Sequence, residues 1–182
     1  VKITYEHLLS DVKKLANGIV AKNLTDTRIV VSGKNSYLRF VSALAVFYSG
    51  NVLVPFSPDI SVDEAAELFE RADIEMILYE NDFFAQAEVL MERCHGLRFA
   101  QSFNDIGEIY QKYSEESEYA MLSELEVNKK DCAIIIYTSG TTGVKKGVML
   151  STEALVGNIM YREYNTEIFN EGDVALSVLP MY

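Results

Sequence analysis

The chain is poor in the residues that several protein classes require. It has two cysteines, Cys94 and Cys132, widely separated and with no CxxC spacing. That excludes a disulfide scaffold and a cysteine-based structural zinc site, and fits two thiols in a reducing compartment. Basic residues are scarce: 16 Lys and Arg stand against 27 Asp and Glu, for a net charge of −11. Wrapping nucleic acid or docking on anionic lipid needs a basic footprint that this balance does not supply. No apolar run approaches the roughly 20 residues needed to span a bilayer. Neither a secretory signal nor an Arg-rich transit segment opens the chain, so a cytoplasmic location is expected. No motif repeats at a fixed period.

What is present is ordinary globular material. Apolar residues make up 49% and charged residues 24% of the 182 positions, which excludes disorder and collagen-like repeats. Amphipathic pattern begins almost at Val1, and Val174 to Tyr182 still reads as a strand running to Pro180. The expectation is a piece of a longer protein.

Strand and helix signals alternate. Leu8, Leu9, Val12, Leu15, Ala16, Ile19 and Val20 recur at helical spacing over Tyr5–Val20, with Thr4 placed to cap them. Arg28–Ser32 reads as a strand, 36–48 as a helix stopping at Gly50, and Asn51–Pro55 as a second strand. Ser61-Val-Asp-Glu64 is a capping box before a helix carrying Ala65, Leu68 and Phe69. Ile74–Tyr79 reads as a strand, Phe83–Cys94 as a helix, and Leu97–Ala100 as a short strand. Apolar runs without strict alternation fit strands covered on both faces. The fold class is therefore α/β, a layered and largely parallel sheet flanked by helices.

Five glutamates without a base between Ser114 and Glu126 mark a solvated connector. The expected organisation is a first α/β block over 1–113, an acidic connector over 114–130 and a second block over 131–182.

The second block carries the chemistry. Cys132–Tyr137 is a buried strand by composition. It runs into Thr138-Ser-Gly-Thr-Thr-Gly-Val-Lys-Lys-Gly147 and returns to apolar residues at Val148-Met149-Leu150. Those ten residues hold four hydroxyls, three glycines and two lysines, with no acid. Glycines let a backbone fold tightly and present amide protons; hydroxyls add neutral donors and lysine adds mobile charge. The set suits a polyphosphate. The Walker A pattern does not fit, because Lys145 stands where the second glycine would be, and no Gly-x-Gly opens a dinucleotide fingerprint.

The order Tyr137-Thr-Ser-Gly-Thr-Thr-Gly-x-x-Lys146-Gly147 resembles the signature of the adenylate-forming superfamily of acyl-CoA synthetases, peptide-synthetase adenylation domains and luciferases. Three further segments are similar to the same family: Thr4–Leu8 with Leu15-Ala16; Phe40–Pro58 with its Val54-Pro55 turn; and Asp173–Tyr182 with its Leu-Ser-x-Leu-Pro. Lys145 replaces the usual proline and Thr152 a common histidine.

The resemblance implies an N-terminal part of the adenylate-forming fold and an ATP-dependent ligase of the acid–CoA type. Such an enzyme activates a carboxylic acid as acyl-adenylate and passes it to coenzyme A. It further implies that Thr138, Ser139, Gly140, Thr141, Thr142 and Gly143 hold the phosphates of ATP and that Lys146 balances their charge, with Mg²⁺ accompanying the nucleotide. Lys145 would add attraction as a second cation. The adenine, coenzyme A and catalytic-lysine segments fall beyond position 182, so no catalytic residue and no protein metal ligand is assigned, and the piece alone is expected to be inactive. Gly147–Ser151 with Asn158-Ile159 leans toward the fatty-acid branch. Two alternatives stand beside this: an amino-acid-activating domain that loads a carrier protein, and a degenerate nucleotide-binding or interaction module. The partners expected are small molecules (the acid, ATP and coenzyme A), with no nucleic acid. Cys94-His95 adjacency does not make a nucleophile pair, and Arg93, His95 and Arg98 read as a solvated helix end. Tyr110, Tyr113, Tyr161 and Tyr164 are expected at core or boundary positions.

Overall fold

The computed structural model describes residues 2–113, 122, 125, 128–138, 145–165, 172 and 174. Helix α1 (Tyr5–Val20) starts where the Thr4 hydroxyl accepts the His7 amide at 3.2 Å. Strand β1 (Arg28–Ser32) follows, then α2 (Tyr37–Tyr48), capped by Ser36 accepting from the Arg39 amide. Next come β2 (Val52–Phe56) and α3 (Val62–Arg71). Strand β3 (Ile74–Tyr79) leads through a 3-10 turn at Asn81–Phe83 into α4 (Phe84–Arg93). Then follow β4 (Phe99–Ser102), a turn, and α5 (Ile106–Lys112). The last elements among the described residues are β5 (Cys132–Thr138), β6 (Lys146–Ser151) and α6 (Thr152–Asn165).

The six strands form one sheet in the order β4-β3-β1-β2-β5-β6. Every pairing is parallel except the last, where β5 and β6 run antiparallel as a hairpin. The α/β expectation holds, and the strand beyond the acidic connector joins the same sheet as the first block. Most of the connector lies outside the described residues, as does the strand expected over 174–182 apart from Val174.

Helices cover both faces, so β1 contributes to two cores. Val30 packs with Val54, Phe56, Leu68, Phe69 and Leu90 beneath α3 and α4. Ile29 and Val31 pack with Leu15, Ile19, Val41 and Ala45 beneath α1 and α2. Side chains on a strand alternate in direction, so one short run of β-branched residues feeds both layers. Phe56 and Phe69 meet edge to face at 5.4 Å.

The turn entering β2 is fixed by Asn51, which is buried. Its Nδ2 donates to the Leu24 carbonyl (3.0 Å), the Ser49 carbonyl (3.1 Å) and Ser49 Oγ (2.9 Å). Its Oδ1 accepts from the Thr27 amide and hydroxyl, both at 3.0 Å. One side chain thus satisfies the backbone where the chain enters both β1 and β2.

Three expectations need correction. The fourth strand lies at Phe99–Ser102 rather than 97–100, because Leu97 is buried against the core under α4 while β4 pairs with β3 from Phe99. The Cys132–Tyr137 strand is only half-buried: Ala133 and Ile135 are covered, while its neighbour β6 exposes Lys146 to Met149. It meets β2 at a single paired position, Leu53 with Ile134, and lies one strand from the sheet edge. Tyr161 is 68% exposed rather than at a core or boundary position, on an α6 that also exposes Ile159 and Met160, and the Tyr164 side chain lies outside the described residues. Tyr110 is half-buried against the α1–α2 layer as expected.

No helix among the described residues is long and apolar enough to cross a membrane.

Candidate functional site at the β5–β6 hairpin

The sequence that suits a polyphosphate sits at the turn of the β5–β6 hairpin. Register runs from Cys132 opposite Ser151 to Thr138 opposite Lys146, so the first and last residues of the expected phosphate-binding set are cross-strand partners. The Thr138 hydroxyl donates to the Lys146 carbonyl at 3.5 Å, and both residues are exposed. Ser139, Gly140, Thr141, Thr142 and Gly143 lie outside the described residues. A hydroxyl and an ammonium at the loop end of a hairpin form a donor set that suits an anionic polyphosphate.

The hairpin is shaped by close packing. Gly147 faces Tyr137 across the pair, and a Cβ built on it would lie 2.9 Å from Ile135 Cγ2 and 3.2 Å from Tyr137 Cε1. Only glycine leaves room for Ile135 and Tyr137 to approach the partner strand this closely. Burial pushes the Tyr137 phenol up, with Arg71 and Arg28 pulling the other way.

Lys145 is engaged by helix α3. Its ammonium lies 2.9 Å from Glu64 Oε1 on α3, and Arg71 Nη2 donates to its carbonyl at 2.9 Å. The capping box is therefore half as read. The Ser61 hydroxyl does accept the Glu64 amide at 3.3 Å, but the Glu64 carboxylate turns outward to Lys145. Sequence reading missed Glu64 and Arg71 as neighbours of the loop, since they belong to a distant helix and no local pattern links them to it.

Two concavities stand out. A polar one of about 220 Å³ lies against the hairpin, edged by Arg28, Arg71, Asp73, Tyr137 and Lys145. A larger, apolar groove of about 550 Å³ runs between α1 and α2, lined by Tyr5, Leu8, Leu9, Leu44, Phe47 and Tyr48. Size favours the groove, but it carries no cation and sits on the other helical layer. The chemistry of an anionic ligand favours the hairpin.

The remaining titratable candidates are structural. Cys94 is buried, its thiol pushed up chiefly by burial, and its sulfur approaches the Ala66 carbonyl at 3.9 Å. His95 points to solvent, its amide donating to Glu70. Arg93 and Arg98 pair with Asp63 and Glu75 at the surface. Among the described residues, no three His, Cys, Asp or Glu side chains converge as a metal site.

Comparison with known proteins adds the family. Surfactin synthase subunit 2 of Bacillus subtilis is 31% identical over 157 residues, spanning 85% of this chain and 4% of that protein. Long chain acyl-CoA synthetase 4 of Arabidopsis thaliana is 26% identical over 201 residues, covering 98% of this chain and 30% of its own length. The chain thus spans less than a third of either relative. Among solved structures, the inhibitor-bound N-terminal domain of FACL13 from Mycobacterium tuberculosis superposes with a TM-score of 0.74. At 19% identity it covers 84% of this chain and 38% of that one, which shows a shared fold. The names divide between a peptide synthase and an acyl-CoA synthetase, so the family is common ground and the substrate class varies within it. On the match of residues 1–182 to its profile, the chain belongs to the AMP-binding enzyme family, a family of adenylate-forming ligases.

Proposed function

We propose that the chain is the N-terminal part of an ATP-dependent acid–thiol ligase, acting in the cytoplasm on a fatty acid and on coenzyme A. The observation that carries this reading is the pairing of Thr138 with Lys146 at the exposed loop end of the hairpin. It is supported by the signature between them and by the similarity to an acyl-CoA synthetase along almost the whole chain.

In this reading a carboxylate oxygen attacks the α-phosphorus of ATP, pyrophosphate leaves, and a thiol then displaces AMP from the acyl-adenylate. Two anions must meet, so the demand on the protein is charge neutralisation and positioning. The hydroxyls of Thr138, Ser139, Thr141 and Thr142 and the amides of Gly140 and Gly143 hold the β- and γ-phosphates. Lys146 offsets their charge as pyrophosphate departs. Mg²⁺ bound with ATP would supply further neutralisation. The organisation into 1–113, 114–130 and 131–182 then has a role: the first block is the scaffold on which the hairpin is mounted. Residues 1–182 alone lack the adenine and thiol sites and are inactive by themselves.

The amino-acid-activating alternative draws on the peptide synthase, the more identical of these two relatives. Acid-dependent ATP–pyrophosphate exchange on the full-length protein, run across short to long fatty acids and the amino acids, separates the two. Exchange with fatty acids supports the proposal; exchange confined to amino acids transfers it to the peptide-synthetase branch. Binding of Mg·ATP without exchange would leave a nucleotide-binding module. In the same protein, Mg·ATP at about 100 times its Kd should stabilise against unfolding by about 2.7 kcal/mol. Lys146→Ala should lose most of that gain, and an unchanged gain would remove Lys146 from the site.

A further inference from the structure

We propose that Lys145 is a positioning residue rather than a phosphate ligand. Helix α3 grips it from two sides, ties the returning end of the loop to the scaffold, and leaves Lys146 as the cation that meets the nucleotide. This rests on the reading of 138–146 as a polyphosphate loop.

Two adjacent lysines at the foot of an anion-binding loop invite the view that both serve the anion. The structure separates them. Lys146 opens β6 and is exposed, opposite Thr138. Lys145 lies one residue earlier, and consecutive side chains along an extended backbone point to opposite sides. Its ammonium reaches Glu64 Oε1 at 2.9 Å, with the lysine side chain 32% exposed and the glutamate 47%. Its carbonyl accepts from Arg71 Nη2 at 2.9 Å across 74 positions of sequence. The side-chain contact requires a cation at 145; the main-chain contact fixes the height of the backbone at the same point.

Glu64 is well placed for this. Its amide is accepted by Ser61 while its carboxylate pairs with Lys145, and helix α3 is anchored in the core through Leu68 and Phe69. A loop held at one foot to a rigid helix loses less conformational freedom when it orders around a ligand. Lys145 therefore contributes to nucleotide affinity through the loop, with its own charge already matched by a carboxylate.

The two roles for Lys145 predict opposite signs for one substitution. In the full-length protein, Glu64→Ala should weaken Mg·ATP binding by about two- to five-fold, the range of a partly exposed ion pair. If Lys145 were instead a phosphate ligand restrained by Glu64, the same change would free the cation and tighten binding. Lys145→Ala should match Glu64→Ala, and the double variant should be no worse than either, because both remove one contact. The charge-exchanged pair Glu64→Lys with Lys145→Glu should recover most of the lost affinity.

A second readout does not depend on nucleotide. Amide exchange over Lys146–Val148 should quicken by a similar factor in Glu64→Ala without ligand. Tighter Mg·ATP binding in Glu64→Ala, additive losses in the double variant, or unchanged exchange at these amides would each overturn the clamp. If the unsubstituted protein binds no Mg·ATP, the polyphosphate reading fails, and the exchange measurement still decides whether α3 holds the loop.

Discussion

Gly147→Ala offers a quantitative check on how the hairpin is built. The added methyl would sit 2.9 Å from Ile135 Cγ2 and 3.2 Å from Tyr137 Cε1, both inside ordinary contact distance. The Tyr137 ring can swing, but Ile135 is β-branched and held at 6% exposure, so its methyl has little room to yield. Overpacking of this kind costs about 1–3 kcal/mol. Replacing glycine within a strand returns about 0.5–1 kcal/mol through lost freedom in the unfolded chain. The net expectation is destabilisation by about 0.5–2 kcal/mol, or a fall in Tm of about 1–8 °C for a chain this size. Gly107→Ala is the matched control, because nothing lies within 4 Å of its Cβ position on α5. There the same chemical change should stabilise by about 0.4–1 kcal/mol. Thermal unfolding of both variants, followed by circular dichroism, decides the matter. If Gly147→Ala is as stable as Gly107→Ala, the close approach of β5 and β6 is not what the structure describes.

Two other tests probe the scaffold. Asn51→Ala should cost about 2–4 kcal/mol in urea unfolding, since it leaves the Thr27 amide and the Leu24 carbonyl without their partner. Asn51→Asp should be worse at neutral pH despite its matching shape, because a carboxylate oxygen would then face the Leu24 and Ser49 carbonyls; an Asp variant as stable as the parent would sink the assigned amide orientation. The Tyr37 hydroxyl donates to Asp11 at 2.8 Å, and burial, then Asp11, push its pKa up to about 12 from 10. A folded pKa raised above the unfolded one gives stability that is complete below pH 10 and lost as pH climbs toward 12. Tyr37→Phe should flatten that alkaline decline, and an unchanged pH profile would count against the Tyr37–Asp11 bond.

How far the sequence reveals this molecule depends on the range of the interaction. Thr4 and Ser61 act within a few residues of themselves, and both cap the helices their patterns announce. The apolar runs at β1 and β3 are legible because both faces are buried and the runs are short. The signature loop is legible because its residue types repeat a chemical need in a fixed order. The exposure of β6 was hidden, since burial depends on which strand lies beside it. The Glu64–Lys145 contact was hidden for the same reason: the capping pattern accounts for Glu64 completely, so nothing local points to its distant partner.

The alternation of β1 between two cores has a consequence for variation. Val30 belongs to the α3–α4 layer, while Ile29 and Val31 belong to the α1–α2 layer. Substitutions in the two helical layers share few partners, so their costs should add with little coupling. One layer can drift in sequence, or be redesigned combinatorially, while the other retains its packing. The sheet acts as a firewall between two histories of mutation. Its weak point is register, because a slip of one residue in β1 would send Val30 into the wrong core and compromise both layers together.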